Sequence, residues 1–355
     1  MKDYIQIGKR KVGKGFPVYI IAEMSANHIQ NYDLAVEIIH AAHSSGADAV
    51  KLQTYTPDTL TMDCNNEYFQ IKGTLWDGMT LYGLYRQTYT PWEWQPKLKK
   101  IANDLGMDLF SSPFDETAVD FLEKMNVPAY KIASLEIVDF FLLKRIARTK
   151  KPVIMSTGTA GLGEIDEAVR TLRRAGCKEL ALLKCTSAYP SLPEEMNIRT
   201  IPHLADSFSV PTGLSDHTLG IEIPIAAVAL GACIIEKHFI ISRDSSSFDR
   251  AFSLEPDEFK AMVDGVRIVE KALGSIRYEV MENEEKISTY RRSLFVTQDM
   301  KKGEQFSKRT VRSIRPGHGL HPKFLDMVLN KRAAMDIKKG TPLNWGLLDD
   351  IPGDS

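Results

Sequence analysis

Cysteine is scarce in this chain and forms no pattern. Four of 355 residues are cysteine (Cys64, Cys177, Cys185 and Cys233), with no CxxC pair and no zinc spacing. They read as free thiols in a reducing cytoplasm, and Cys185, at a strand end with no base evident beside it, reads as a small buried apolar side chain. Neither charge is in excess, since Lys plus Arg is 45 against 46 for Asp plus Glu. That balance argues against a nucleic-acid surface, so an anionic ligand must be met by local charges such as Lys51 and Lys131. No apolar run reaches the roughly eighteen residues of a membrane span, and no N-terminal signal pattern is evident. An early HxH with a carboxylate, the richer ligand set of a hydrolytic metal-dependent barrel, is missing as well.

What is present is a series of apolar strand-like runs ending in reactive groups. VYIIAE ends at Glu23, and AVKLQT carries Lys51 and Gln53. DLFSSPF carries Ser111 and Ser112, and AYKIAS carries Lys131 and Ser134. VIMSTG carries Ser156, and LALLKCTSAY runs into Thr186, Ser187 and Tyr189. TGLSDH closes on Asp216 and His217, and CIIEKHF carries Lys237 and His238. Helical patterns separate most of these runs, the spacing of βα units. Polar groups at the C-terminal ends of nearly every strand predict an active site on the top face of a (β/α)8 TIM barrel, an α/β fold.

The barrel is expected within residues 1–275, behind a lead-in around Gly8, Gly13 and Gly15 that suits a hairpin at the barrel bottom. NYDLAVEIIHAAHSSG, TPWEWQPKLKKIANDLG, DETAVDFLEKMN and GEIDEAVRTLRRAG each stop near a Gly or Asn. Residues 55–85 form the longest non-periodic insertion, whose aromatics Tyr68, Phe69, Trp76, Tyr82 and Tyr85 suggest a packed lid. A charged stretch over residues 276–292 reads as a linker or an exposed helix. QDMKKGEQFSKRTVRS and MDIKKGTPLNWGLLDD share a D-(M/I)-K-K-G core, so residues 293–355 predict a small β-rich domain with internal pseudo-symmetry. At about 60 residues it would be marginal alone.

Three groups carry the candidate chemistry. His217 and His238 sit at the ends of the last two barrel strands, where two imidazoles could hold one divalent cation, or be two unrelated histidines. Lys51 and Lys131 lie inside apolar strands, where a lysine is costly without an anion. With hydroxyls from Ser112, Ser134 and Ser156 they would suit a ligand bearing phosphate and carboxylate; otherwise their ammonium groups snorkel to solvent. Glu23 could orient a hydroxyl or move a proton, or simply pair with one of those lysines.

The strings IIAEMSANH, GADAVKLQ, FSSPFD, AYKIAS, IMSTG, KCTSAYP, GLSDHT, VALGACIIEKHF and SLEPDEF, in that order, resemble the sialic acid synthase family. The tail RRSLFVTQDMKKGEQFS…SIRPGHGLHPK resembles that family's C-terminal antifreeze-like (SAF) domain. Members condense phosphoenolpyruvate with an N-acetylated amino sugar. QTYTPDTLT, IKGTLWDGMTLYGLY and RPGHGLHPKF look most like the branch that makes pseudaminate from 2,4-diacetamido-2,4,6-trideoxy-beta-L-altropyranose. Neuraminate and legionaminate synthases and spore-coat polysaccharide relatives are the alternatives. The resemblance implies that Lys51, Lys131, Ser134 and Ser156, with Ser215 beside them, hold phosphoenolpyruvate. It implies a divalent metal (Mn2+, Mg2+ or Co2+) on His217 and His238. Glu23, Asn27, Gln53, Tyr189 and Asp249 would face the sugar. Arg315, in RPGHG, would reach in from the SAF domain of the partner in a domain-swapped homodimer. Neither nucleic acid nor a membrane is implied as a partner.

Overall fold

The computed structural model describes residues 3–350. A hairpin of Tyr4–Ile7 and Arg10–Gly13 opens the chain. Eight parallel strands follow: β1 (Tyr19–Glu23), β2 (Ala49–Thr54), β3 (Asp108–Pro113), β4 (Tyr130–Ile132), β5 (Val153–Ser156), β6 (Leu180–Cys185), β7 (Thr212–Asp216) and β8 (Ile234–His238). They pair in sequence order, and β8 closes on β1 with His238 opposite Glu23. The expected eight-stranded barrel is therefore what the chain builds.

One helix packs behind each strand. These are α1 (Tyr32–Ser44), α2 (Gln95–Asp104), α3 (Glu116–Lys124), α4 (Phe140–Ala147), α5 (Leu162–Arg174), α6 (Thr200–Phe208), α7 (Glu222–Ala229) and α8 (Pro256–Leu273). Their starts are chemical: Asn31, Asp115 and Asp139 accept amide hydrogens of the first turns of α1, α3 and α4. Their inner faces are periodic, as in α5, which buries Ile165, Ala168, Val169 and Leu172. Gly46, Gly106, Asn126 and Gly176, the stops of the four helical patterns, all adopt positive φ.

Between β2 and α2 lies the long insertion. It is more ordered than its lack of periodicity suggests. Thr80 caps an eight-residue helix, Leu81–Thr88, and Gln70 bridges Thr80 to close a small hairpin. The expectation of a packed aromatic lid holds only in part. Tyr85 packs on Tyr55, but Tyr68 is 81% exposed and caps nothing.

The first compact unit ends at Gly274 and the second starts at Ser275. The charged stretch carries one exposed helix, Glu282–Ser288. Beyond it, Ser293–Val296 pairs antiparallel with Val311–Ile314, and Lys331–Ala333 with Leu348–Asp350. The repeated D-(M/I)-K-K-G core is a structural repeat. Asp299 pairs with Lys338 at 2.8 Å while Asp336 pairs with Lys301 at 2.7 Å. Asp299 accepts from the Lys339 amide, and Asp336 from the Lys302 amide. Met300 and Ile337 exchange backbone bonds and are both buried. Exposed ion pairs add little by themselves. The reciprocal amide bonds and the buried pair hold the two halves together.

Candidate active site

Strand alternation decides which groups face the barrel interior. On β8, Glu236 and His238 share one face. Lys237 takes the other, where it lies 2.5 Å from Asp216 with both side chains fully buried. Lys237 and Asp216 are thus a structural pair behind the barrel wall, not part of the mouth. Inside, β1 and β2 set Glu23 opposite Lys51, and β7 and β8 set Ser215 opposite Glu236.

The result is a buried chain of alternating charge. Glu23 Oε2 is 2.7 Å from Lys51 Nζ, an ion pair off the line of a directed hydrogen bond. Lys51 Nζ is 3.6 Å from Glu236 Oε1, which accepts from Lys131 Nζ at 3.0 Å and from Ser215 Oγ at 3.3 Å. Burial works against every one of these charges. It wins at Glu23, whose carboxyl is raised, and at Lys131, whose ammonium is lowered. At Lys51 burial is outweighed by Glu23 and Glu236, so its pKa rises; at Glu236 it is outweighed by Lys131 and Lys51, so its pKa falls. Two cations and two anions leave the cluster neutral, which answers the cost of burying either lysine alone.

Hydroxyls line this cluster. Lys51 Nζ donates to Ser112 Oγ at 3.4 Å. Ser134 Oγ accepts from the Gly158 amide at 3.1 Å. Ser156 Oγ is buried with no partner among the described residues, as is Glu236 Oε2. The turn after β5 passes so close to Ser134 that a Cβ on Gly158 would lie 2.7 Å from Ser134 Oγ. Only glycine fits there. The unpartnered hydroxyl and the paired lysines are donors that would suit an anion.

His217 and His238 lie side by side, ring centroids 5.3 Å apart. His217 Nδ1 is 3.0 Å from the Thr186 carbonyl oxygen, which can only accept, so in the neutral ring Nε2 keeps its lone pair. Burial and the neighbouring His217 hold His238 well below the usual imidazole range, and its Nδ1 is buried with no hydrogen-bond partner. At His217 burial is outweighed by Cys185 and the Thr186 carbonyl, so its pKa rises; with both rings neutral, the two imidazoles would suit a divalent cation. Among the described residues no third His, Cys, Asp or Glu completes a site of three, so the remaining positions would belong to water or substrate.

The other candidates divide. Gln53 joins Glu23 to Ser25, at 3.0 Å each. Asp249 lies 3.8 Å from His238 Nδ1; burial raises its carboxyl, against hydrogen bonds from Ser25 and the Ala26 amide. Tyr189, still 37% exposed, packs at a tilt against His217, ring centroids 4.4 Å apart. Asn27 is different. Its amide donates to the Phe239 carbonyl and Ser253 Oγ and accepts from Ser247 Oγ, which fastens the loop after β8. Arg315 follows Val311–Ile314 in the second unit, with its side chain exposed.

Four groups escaped the sequence reading. Glu236 was legible, because it stands two residues before His238 in an apolar strand. Glu136, two residues past Ser134, was not, since its short turn Ser134–Val138 has no period to read. Its Oε2 is buried without a partner, and burial pushes its carboxyl up to about 7. Phe252 packs between Tyr189 and His238, at 5.2 and 4.8 Å. Cys185 does lie beside His217, its Sγ 3.9 Å from Nδ1, the nitrogen whose hydrogen also faces the Thr186 carbonyl. Burial would raise this thiol, but the His217 hydrogen bond and charge bring it to about 7.

Residues 38–278 match the NeuB family and residues 291–349 the SAF domain. The chain is 46% identical to the pseudaminic acid synthase of Campylobacter jejuni, over 96% of this chain and 99% of that one. It is 45% identical to the pseudaminic acid synthase of Helicobacter pylori, over 94% and 98%. The N,N'-diacetyllegionaminic acid synthase of Legionella pneumophila is 37% identical, over 95% and 96%. Among solved structures, the N-acetylneuraminic acid synthetase of Leptospira borgpetersenii superposes with a TM-score of 0.73 at 32% identity, over 82% of this chain and 97% of that one. With its barrel, its buried lysine and histidine clusters and its second unit all accounted for, the chain belongs to the NeuB family and carries a SAF domain after the barrel.

Proposed function

We propose that this chain condenses phosphoenolpyruvate with 2,4-diacetamido-2,4,6-trideoxy-beta-L-altropyranose to give pseudaminate and phosphate. The observation that carries the chemistry is the anion cradle of Lys51, Lys131 and Ser156 built beside two neighbouring imidazoles. The choice of sugar rests on the two pseudaminic acid synthases at 45 and 46% identity, against 37% for the legionaminic acid synthase.

Phosphoenolpyruvate brings a phosphate and a carboxylate. Lys51 and Lys131 would meet them, with Ser134, Ser156 and Ser215 as hydroxyl partners. Both ammonium groups are already held by Glu23 and Glu236, so they need little ordering when the anion arrives. The methylene carbon forms a bond to the aldehyde carbon of the open-chain sugar. Water adds to the former enol carbon, and the bond from that carbon to the phosphate oxygen breaks. One proton of the water ends on the new hydroxyl and the other leaves with the phosphate. In this reading Glu23 and Glu136 would move them; Glu136, pushed up to about 7, can hold or release a proton near neutrality. Lysine charge stabilises the departing phosphate. Gln53, Tyr189 and Asp249 would line the sugar side.

A divalent cation on His217 and His238 would supply a Lewis acid for the sugar aldehyde. Two nitrogen donors suit Mn2+ or Co2+ better than Mg2+, which prefers oxygen.

The SAF domain, in this reading, serves the partner of a homodimer through Arg315. Exposed apolar side chains follow several barrel strands: Leu135, Val138, Leu162, Leu192 and Leu219. In this reading the partner's SAF domain would cover them. No helix among the described residues is long and apolar enough to cross a membrane, and four free thiols accord with a cytoplasmic enzyme.

The test is phosphate release from phosphoenolpyruvate across a panel of amino sugars with each metal. The 2,4-diacetamido sugar should turn over fastest. Equal or faster turnover of N-acetylmannosamine would move the chain to the neuraminate synthases.

A further inference from the structure

Trp76 sits on the small hairpin of the insertion, where Ile71 and Met79 pair and the turn runs through Gly78. Its neighbours Leu75 and Asp77 face solvent. The indole itself is half-buried. Its ring centroid lies 6.0 Å from that of Tyr189, and Tyr189 in turn packs at a tilt against His217 and Phe252. Phe252 meets His238 edge-on. Trp76 is thus the outer member of an aromatic wall that ends at the two histidines.

Its Nε1–H is sealed from solvent and has no acceptor among the described residues. Trp92 shows the ordinary arrangement, donating to the Tyr55 carbonyl at 3.1 Å. A buried donor left unmade is costly, and proteins keep few of them. A bound molecule can supply what the protein withholds.

We propose that Trp76 is a specificity-determining residue of this chain. Its indole N–H donates to the carbonyl of the acetamido group remote from the reacting aldehyde, and its ring covers the sugar's methyl groups. This rests on the proposed function. N-acetylmannosamine carries a hydroxyl where the preferred sugar has its second acetamido group, so it offers no amide carbonyl there. It also carries a hydroxymethyl in place of the methyl that the aromatic wall covers.

The test uses the full-length enzyme and two variants. Trp76→Phe keeps a ring on Tyr189 and removes the N–H; Trp76→Ala removes both. For Trp76→Phe, kcat/KM for the 2,4-diacetamido sugar should fall about tenfold, mostly through KM. The KM for phosphoenolpyruvate and turnover of N-acetylmannosamine should stay as they are, so the preference shrinks. Trp76→Ala should lose more of that preference. Equal losses with both sugars, or none, would overturn the proposal and leave the indole a packing residue of the hairpin. Should the wild-type enzyme turn over neither sugar, the functional reading fails separately. Calorimetric binding of the two sugars to wild type and Trp76→Phe then decides, and unchanged affinities in the variant sink the role of Trp76.

Discussion

At the scale of single residues, the site is a problem in burying charge. Lys51 and Lys131 stand out in the sequence because each interrupts an apolar strand. Glu236 completes them, but a carboxylate is as ordinary in a sequence as it is decisive here. Glu136 offers the sharpest check. Burial raises its carboxyl from the usual range to about 7. Below pH 4.5 it is protonated folded or unfolded. Between there and about pH 7 the unfolded chain ionises while the folded one stays protonated, so folding weakens as pH rises through that window. The cost levels off above it, at an order of magnitude of about 3 kcal/mol. Glu136→Gln cannot ionise and escapes this cost. The difference in Tm between variant and wild type should therefore shift by a few degrees in the variant's favour from pH 4.5 to pH 8. A pH-independent difference would show that the carboxyl is not held protonated.

Secondary-structure elements decide which of these groups meet. Alternation along β8 turns Glu236 and His238 inward and Lys237 outward, so three consecutive polar residues split between the barrel interior and a structural pair. The turn after β5 is a second case. Gly158 donates to Ser134 and leaves no space for a side chain beside it. Gly158→Ala should push the turn away from Ser134 and raise the KM for phosphoenolpyruvate roughly tenfold, the worth of about one hydrogen bond. The sugar KM should move little. A rise confined to the sugar would place this turn on the wrong substrate.

For the molecule as a whole, the open question is what the second unit does for the first. Its core is small, built on Leu294, Val296, Phe306, Val311 and Leu343 with the Met300–Ile337 pair. Arg315 is exposed on it, and a guanidinium offers planar donors suited to an amide carbonyl or a carboxylate. Arg315→Ala should cripple turnover although it lies outside the barrel. Co-expressing Arg315→Ala with His217→Ala should recover part of the activity, because one site of each mixed dimer keeps both groups. No recovery in verified heterodimers would mean that the arginine does not act across subunits.

The strands, the helix stops and the doubled D-(M/I)-K-K-G core were legible in the sequence because each is a local matter. Side-chain period, capping chemistry and left-handed stops depend on neighbours a few residues away. The eightfold alternation of strand and helix is a sum of such local signals, so the barrel could be read as well. The pairing of Glu236 with Lys51 and Lys131 could not, nor could the place of Cys185 beside His217 or of Trp76 against Tyr189. These residues lie from 32 to 185 positions apart in the chain. Barrel closure alone brings β8 against β1 and turns their ends toward one centre. Register between distant strands, and the burial that follows from it, is a property of the closed sheet and of no single segment.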